Sequence, residues 1–481
     1  IKPVSYWRPP SGGLCVSSEV KSFYAFEDFD PALDVETLPE YLRFRSLCQG
    51  RTLLRGVYDL PPGHLIRYDQ RTDSFEMTRY WHPNDVAYRG TTHAEEAVDR
   101  VTEALRRSVY SHLVADVPVG VQFSGGIDSS LVASFARREV SNDLLAFHCS
   151  VQDEACSETA YATEYARSIG VKLRVSEFDS GIFLSDLFDK LTWHRDEPLG
   201  HPNAVGVHLI SAAAKREVKV LLSGEGADEL FGGYWRYSHA LRSDTLRKFP
   251  PLRFLPKLRS NGEWLAMSHE REIATRAGFV PLASVNRLLG RDVTEESESR
   301  RIAVLSTIEA PDRLAQHQVF DALTYLPGLL LRQDKMSMAA SIENRVPFVT
   351  PSMMALGLGL EPAMRATWTR QKVALKQIFE NNFHGANAHR RKMGFAVPLA
   401  RWLKSSAGED RIDSISTGAL RDAMDIDAAK QCIAEFRQHG SSVDAVWVLM
   451  SLAGWLRIFG SKKKVCGAMA PGARMTAGQP C

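Results

Sequence analysis

"VQFSGGIDSS", Val121–Ser130, ends an apolar run, "VPVGVQF" (Val117–Phe123), with two glycines, an aspartate and two serines. An apolar run closed by a turn reads as a buried strand, and "SSLVASFARREV" after it reads as a helix. Glycines allow backbone N–H groups to approach an anion, Ser124, Ser129 and Ser130 add hydroxyls, and the helix start is electropositive. The Lys of a Walker-type GxxxxGK[ST] loop is absent, so a different phosphate chemistry is expected. The donors suit a pyrophosphate. With the β and γ phosphates held, the α phosphate stays open to attack, which favours adenylation of a carboxylate over phosphoryl transfer. A tight strand-to-helix turn with an Asp cap is the plain structural alternative.

Working outward, strands and helices alternate: "LLAFHCS" (strand), "TAYATEYARSIG" (helix, stopped at Gly170), "VKLRVSEF" (strand), "HLISAAAKRE" (helix) and "VKVLLS" (strand). This order predicts an α/β domain with a parallel, doubly wound sheet. Ligands of such sheets bind at the carboxyl ends of the strands. A second glycine-rich acidic loop, "SGEGADELFGGY" (Ser223–Tyr234), follows the fourth strand and falls on the same edge. Asp128 and Asp228 are then placed to share one cation, Mg²⁺ when phosphate oxygens complete its shell.

Residues 1–82 read as a small β-rich unit with strands such as "GGLCVSSEV" and "HLIRYD" and the turn "DLPPGH". Residues 83–462 hold the alternation, opened by an amphipathic helix at "HAEEAVDRVTEALRRSVYSHLV" and dominated by helices after about Ala240. Residues 463–481 are basic, small and Gly/Pro-interrupted, the composition of a disordered tail.

A net charge of +2 on 481 residues gives no general attraction for nucleic acid or membrane. The longest apolar run, "AVWVLMSLAGWL" (Ala445–Leu456), is shorter than the roughly 20 residues of a membrane span and reads as a core helix. No secretory pattern opens the chain, so a cytoplasmic enzyme is expected. The seven cysteines are scattered without a CxxC pair, which indicates neither a disulfide framework nor a zinc site.

Four segments in order, "SGGIDSS", "SGEGADELFGGY", "LRQDKMSMAASIENRVPF" (Leu331–Phe348) and "RRKMGFAVPLARWL" (Arg390–Leu403), closely resemble the C-terminal synthetase domain of glutamine-dependent asparagine synthetases. Those enzymes are AMP-forming and use the PP-loop ATP pyrophosphatase fold. The first segment marks PP-loop enzymes generally; the other three point to the asparagine synthetase superfamily. The resemblance implies ATP as substrate and Mg²⁺ as cofactor. It places the pyrophosphate loop on Ser124, Gly125, Gly126, Asp128 and Ser129, the adenylate-contacting pair on Ser223 and Gly224, and the magnesium carboxylates on Asp128 and Asp228. Glu225 matches the glutamate important for the intermediate. Lys335 and Lys392 match lysines that face excess negative charge on the phosphate and the later oxyanion. Without the resemblance, His389–Lys392 is a solvated charge run.

The opening "IKPVSYW", "GGLCVSSEVKSFYAF", "GVYDLPPGHLIRYD" and "RYW" resemble the second half of the glutaminase domain of the same enzymes, an Ntn-hydrolase sandwich whose nucleophile is an N-terminal Cys. Position 1 here is Ile, and neither Cys15 nor Cys48 stands at a chain start, so no glutamine hydrolysis is expected of this chain. The first half is expected to have been lost or to come from a separate glutaminase chain. Half a sandwich exposes strand edges and core, which predicts a partner or poor order in residues 1–82. Free ammonia is expected to serve, and a homodimer is what relatives suggest.

Aspartate, converted to asparagine, is the acceptor the resemblance favours. Related enzymes act on other carboxylates, of sugars, peptides or natural-product precursors, and this chain departs from many asparagine makers at His201, Pro202 and Asn203 after "DEP" (Asp196–Pro198). Nucleic-acid-modifying PP-loop enzymes fit less well, because they add basic surfaces. A non-catalytic ATP-binding subunit fits less well with Asp128, Asp228, Glu225, Lys335 and Lys392 all present.

Overall fold

A computed structural model describes residues 2–86, 93–140, 144–153, 157–248, 266–383, 397–413, 415, 417–461 and 464–466. Strands are β1 (Ser5–Trp7), β2 (Cys15–Ser17), β3 (Val57–Asp59), β4 (His64–Asp69), β5 (Ser74–Arg79), β6 (Val119–Gln122), β7 (Leu145–Val151), β8 (Lys172–Phe178), β9 (Val220–Leu222) and β10 (Glu343–Arg345).

The central sheet has five strands in the order β10-β9-β6-β7-β8, every pairing parallel. The chain enters at β6, builds outward through β7 and β8, then returns to the other side for β9 and β10. This is the expected doubly wound topology, with its switch point between β6 and β9. Alternation along short apolar strands supplies two cores: Val220 and Leu222 of β9 face one, and Leu221 faces the other. Ala146 and Phe147 of β7 divide in the same way.

Four strands fall where the apolar runs placed them. β10 was not anticipated: it is three residues inside "SIENRVPF", with Glu343, Asn344 and Arg345 in place of an apolar run. The run "RLAQHQVFDALTYLPGLLLRQDKMSMAAS" is two helices, Arg313–Thr324 and Leu326–Met338, broken at Tyr325. Pro327 explains the break, since its ring clashes with the carbonyl of residue 323 and it donates no hydrogen bond. Helix Val443–Phe459 contains the longest apolar run and buries Trp447 and Trp455 completely or nearly so. Among the described residues no helix is long and apolar enough to cross a membrane.

The first unit consists of a three-stranded antiparallel sheet, β2-β1-β3, a separate β4-β5 hairpin, and helix Leu38–Phe44. The expected exposure holds only in part: Val16, Phe26, Leu65 and Tyr80 are exposed, but the central aromatic side chains are buried. Trp7, Phe23, Tyr24 and Phe29 are buried in the same core as Trp455 and Phe459 of helix Val443–Phe459, and Tyr24 Oη donates to the Phe459 carbonyl at 2.7 Å. Trp7, Phe23 and Phe29 pack on one another within the first unit, and Tyr24 joins that cluster to Phe459 of the C-terminal helix. Of the expected disordered tail, all but residues 464–466 lies outside the described residues, and Val465 is buried.

Candidate functional site at the sheet switch point

A cleft opens at the carboxyl ends of β6 and β9, lined by both glycine-rich loops and by Gln122, His148, Asn203, Arg332 and Gln333. Ser124, Asp128, Ser129, Ser223, Gly224, Glu225 and Asp228 all line it.

The first loop turns from β6 into helix Ile127–Glu139, whose start at Gly126 has no side-chain cap. Ser129 Oγ accepts from the Ser124 N–H at 3.1 Å, and Ser124 Oγ accepts from the Gly126 N–H at 3.2 Å. The serines therefore shape the loop as well as face the cleft. Ser130 is fully buried and is not among the residues that line the cleft. Gly125 has a packing role in the loop as well. Its φ is +72° and a Cβ there would lie 2.7 Å from the backbone N of Ala162, so a glycine is needed here for the close approach of helix Thr159–Ser168.

Gly224 sets the distance between the two loops. A Cβ at this position would stand 2.8 Å from the Asp128 Cβ and 2.9 Å from the Ser129 nitrogen, so only glycine permits the approach. That approach brings Asp128 and Asp228 onto one cation, which in this structure is the Lys372 ammonium: its Nζ lies 2.7 and 2.6 Å from the two Asp128 oxygens and 2.8 Å from Asp228 Oδ1. Two carboxylates that share an ammonium in this way form a donor set suited to a divalent cation whose remaining ligands come from phosphate. Among the described residues no group of three or more His, Cys, Asp or Glu could hold a metal, so these two carboxylates would need such outside ligands.

Opposite the carboxylates, Arg332 is nearly buried and divides its guanidinium between Glu225 Oε1 (2.7 Å) and Asn203 Oδ1 (2.9 Å). Its Nε is buried without a hydrogen-bond partner. Next to it, His201 lies edge-on between Phe279 (5.6 Å between ring centres) and Tyr325 (5.9 Å). Burial, reinforced by Arg332, Arg45 and Arg195, holds its pKa well below the ordinary histidine value, so it is neutral. Glu229, behind the second loop, accepts from Tyr234 Oη at 2.6 Å, and burial followed by the Asp228 charge pushes its carboxyl up to about 7. His148, held on the Phe123 carbonyl at 2.9 Å, is lowered by burial.

Lys335 is not in this cleft. Its ammonium lies 2.7 Å from Asp196 Oδ2 and donates to the Ser18 carbonyl at 3.0 Å, under the first unit. Lys335 stands one turn beyond Arg332 on the same helix, and what draws it away is the Asp196 carboxylate. The expectation that it faces the reacting phosphate is corrected accordingly. Lys392 lies outside the described residues.

Sequence reasoning missed Lys372, Arg332 and Asn203. Arg332 stands within a quoted motif but was passed over for the lysine beside it. Lys372 has no glycine-rich or acidic context, and only the folded chain brings it to residues 128 and 228.

An α/β fold with a carboxylate-rich cleft at its switch point is the architecture of a small-molecule enzyme. The family model described as Asparagine synthase matches residues 100–457, and that described as Glutamine amidotransferase domain matches residues 1–81. A Mycobacterium tuberculosis protein described as "Putative asparagine synthetase [glutamine-hydrolyzing]" is 31% identical over 492 residues, covering 95% of this chain and 73% of its own. Asparagine synthetase [glutamine-hydrolyzing] 1 of Bacillus subtilis is 29% identical, over 85% of this chain and 66% of its own. Amidase chyE of Penicillium rubens is 25% identical, over 85% of this chain and 71% of its own. The chain belongs to the asparagine synthase family and is a carbon–nitrogen ligase of that kind.

Proposed function

We propose that this chain is an ATP-dependent, AMP-forming amide ligase that adenylates the side-chain carboxylate of aspartate and transfers ammonia to it, giving asparagine. The observation that carries this reading is the convergence of Asp128, Asp228 and Glu225 on one cleft at the switch point, beside an uncapped helix start. Ser124, Gly126 and Ser129 would face the pyrophosphate, and Ser223 and Gly224 the adenylate. Gly125 would complete the same pyrophosphate loop through its backbone, while its missing Cβ lets the loop pack on helix Thr159–Ser168. Asp128 and Asp228 would hold Mg²⁺, which when bound neutralises charge developing on the phosphate oxygens. Glu225, oriented by Arg332, would face the acyl-adenylate as ammonia adds, and Lys392 would supply a cation for the excess negative charge on the reacting phosphate and the later oxyanion. The match of residues 1–81 to a glutamine amidotransferase domain supports glutamine as the source of ammonia in the whole protein.

The test is AMP and pyrophosphate release from Mg·ATP with ammonium chloride or glutamine, with and without aspartate, and asparagine detection by mass spectrometry. Stoichiometric AMP and asparagine are expected. Aspartate-independent behaviour of a folded, nucleotide-binding protein would overturn the acceptor assignment.

A second reading, an amide ligase acting on another carboxylate, is favoured by one observation. The segment after "DEP" places Asn203 on Arg332 and a neutral His201 in an aromatic notch beside it. A panel of small carboxylates in the same AMP assay separates the two.

A further inference from the structure

Lys372 has a backbone φ of +52°, a region that residues other than glycine seldom adopt, at the start of helix Val373–Asn382. Strain of this kind persists where surrounding contacts over-determine it. Here the contacts are those of a buried ammonium: Lys372 is 5% exposed, with Nζ between Asp128 and Asp228. The side chain runs across Gly233, where a Cβ would lie 2.0 Å from Asp228 Oδ1 and 2.3 Å from Lys372 Cε, so the seat has room for this lysine only above a glycine. Both Asp128 carboxylate oxygens and Asp228 Oδ1 lie within 2.8 Å of the ammonium, where a divalent cation bound by this pair would have to sit.

From this geometry, and resting on the reading of the cleft as a nucleotide and metal site, we propose that Lys372 is a tethered cation that competes with the divalent metal for Asp128 and Asp228. A metal arriving alone would have to displace a buried ammonium and leave it beside a second cation, with no anion to receive it. A metal arriving on a nucleotide brings phosphate oxygens that complete its shell and give the displaced ammonium an anionic partner. Binding is therefore ordered: the metal enters with the nucleotide, and each tightens the other. The acidic pair stays held together and neutralised between turnovers.

Mn²⁺ is the probe, with free and bound ion distinguished by electron paramagnetic resonance on the full chain, alone and with α,β-methylene-ATP. The wild type and Lys372→Arg are expected to bind Mn²⁺ weakly alone and at least about ten-fold more tightly with the analogue, a coupling that linkage makes reciprocal. Lys372→Met, checked for folding by circular dichroism, is expected to bind Mn²⁺ without nucleotide at least about ten-fold more tightly than the wild type, and to lose that site when Asp128→Asn is added. Equal Mn²⁺ affinity of the wild type with and without nucleotide overturns the proposal whether or not Lys372→Met folds. Equal affinity of the wild type and Lys372→Met alone does the same. Failure of any form to bind Mn²⁺ and nucleotide, singly or together, would instead remove the nucleotide reading of the cleft.

Discussion

Glu229 and Arg332 show how single side chains carry the cleft. The Glu229 carboxyl, pushed up to about 7 chiefly by burial, keeps its proton in the folded chain where the unfolded chain has ionised at about 4.3. The native state binds the extra proton in that window, so stability falls as pH rises from about 4.3 to about 7 and levels off above it. Asp228 and Glu225 face the same carboxyl and add to the rise, while Tyr234 opposes it. Glu229→Gln keeps an acceptor for Tyr234 and removes the proton, so its denaturant midpoint is expected to drop less between pH 5 and pH 8 than that of the wild type. Arg332 divides two donors between Glu225 and Asn203. Arg332→Lys offers a point charge in place of a fork, and losing a charge-assisted bond of about 1.5–3 kcal/mol predicts a fall of about ten- to a hundred-fold in acceptor-dependent AMP release. The KM for ATP should change far less; an equal effect on both would place Arg332 on the nucleotide.

Between elements, the deciding contact is loop on loop. Gly224→Ala drives a methyl group into Asp128 and Ser129 and separates β9 from the loop after β6. Its expected outcome is loss of nucleotide binding by calorimetry with a melting temperature lowered by only a few degrees, because the strands below still pair. The two glycine loops, the strands beneath them and the parallel order were legible because short apolar runs bounded by turn residues have one sensible reading. β10 was not, since a three-residue strand of Glu, Asn and Arg owes its existence to pairing with β9. The packing role of Gly125 was not legible for a related reason: the helix it admits is brought beside it only by the fold.

Across the whole molecule, Asp196 joins the two matched regions. Its backbone is left-handed (φ 64°), its carboxylate takes Lys21 at 2.8 Å and Lys335 at 2.7 Å, and its carbonyl accepts from Trp455 Nε1 at 2.8 Å. Breaking a buried ion pair by removing one partner costs about 3–5 kcal/mol, so Asp196→Asn is expected to lower stability by an amount of that order. Limited proteolysis should then release residues 1–86 sooner, with nucleotide binding retained; unchanged cleavage would show that the apolar contacts of Tyr24 and Phe459 suffice alone. The segment from Arg195 to Asn203 also runs from a cavity of about 510 Å³ beside the first unit, where Asp59 is raised to about 7 by burial and Glu197, to the cleft itself. By itself the sequence determined the alternation of strands and helices, the shared edge of the two acidic loops and the motifs of the family, because these depend on residue type and spacing along one stretch of chain. Only the tertiary structure decided which cation sits between Asp128 and Asp228, where Lys335 points and which carbonyl Tyr24 reaches. Each of those depends on groups separated by more than a hundred residues, which no local pattern encodes.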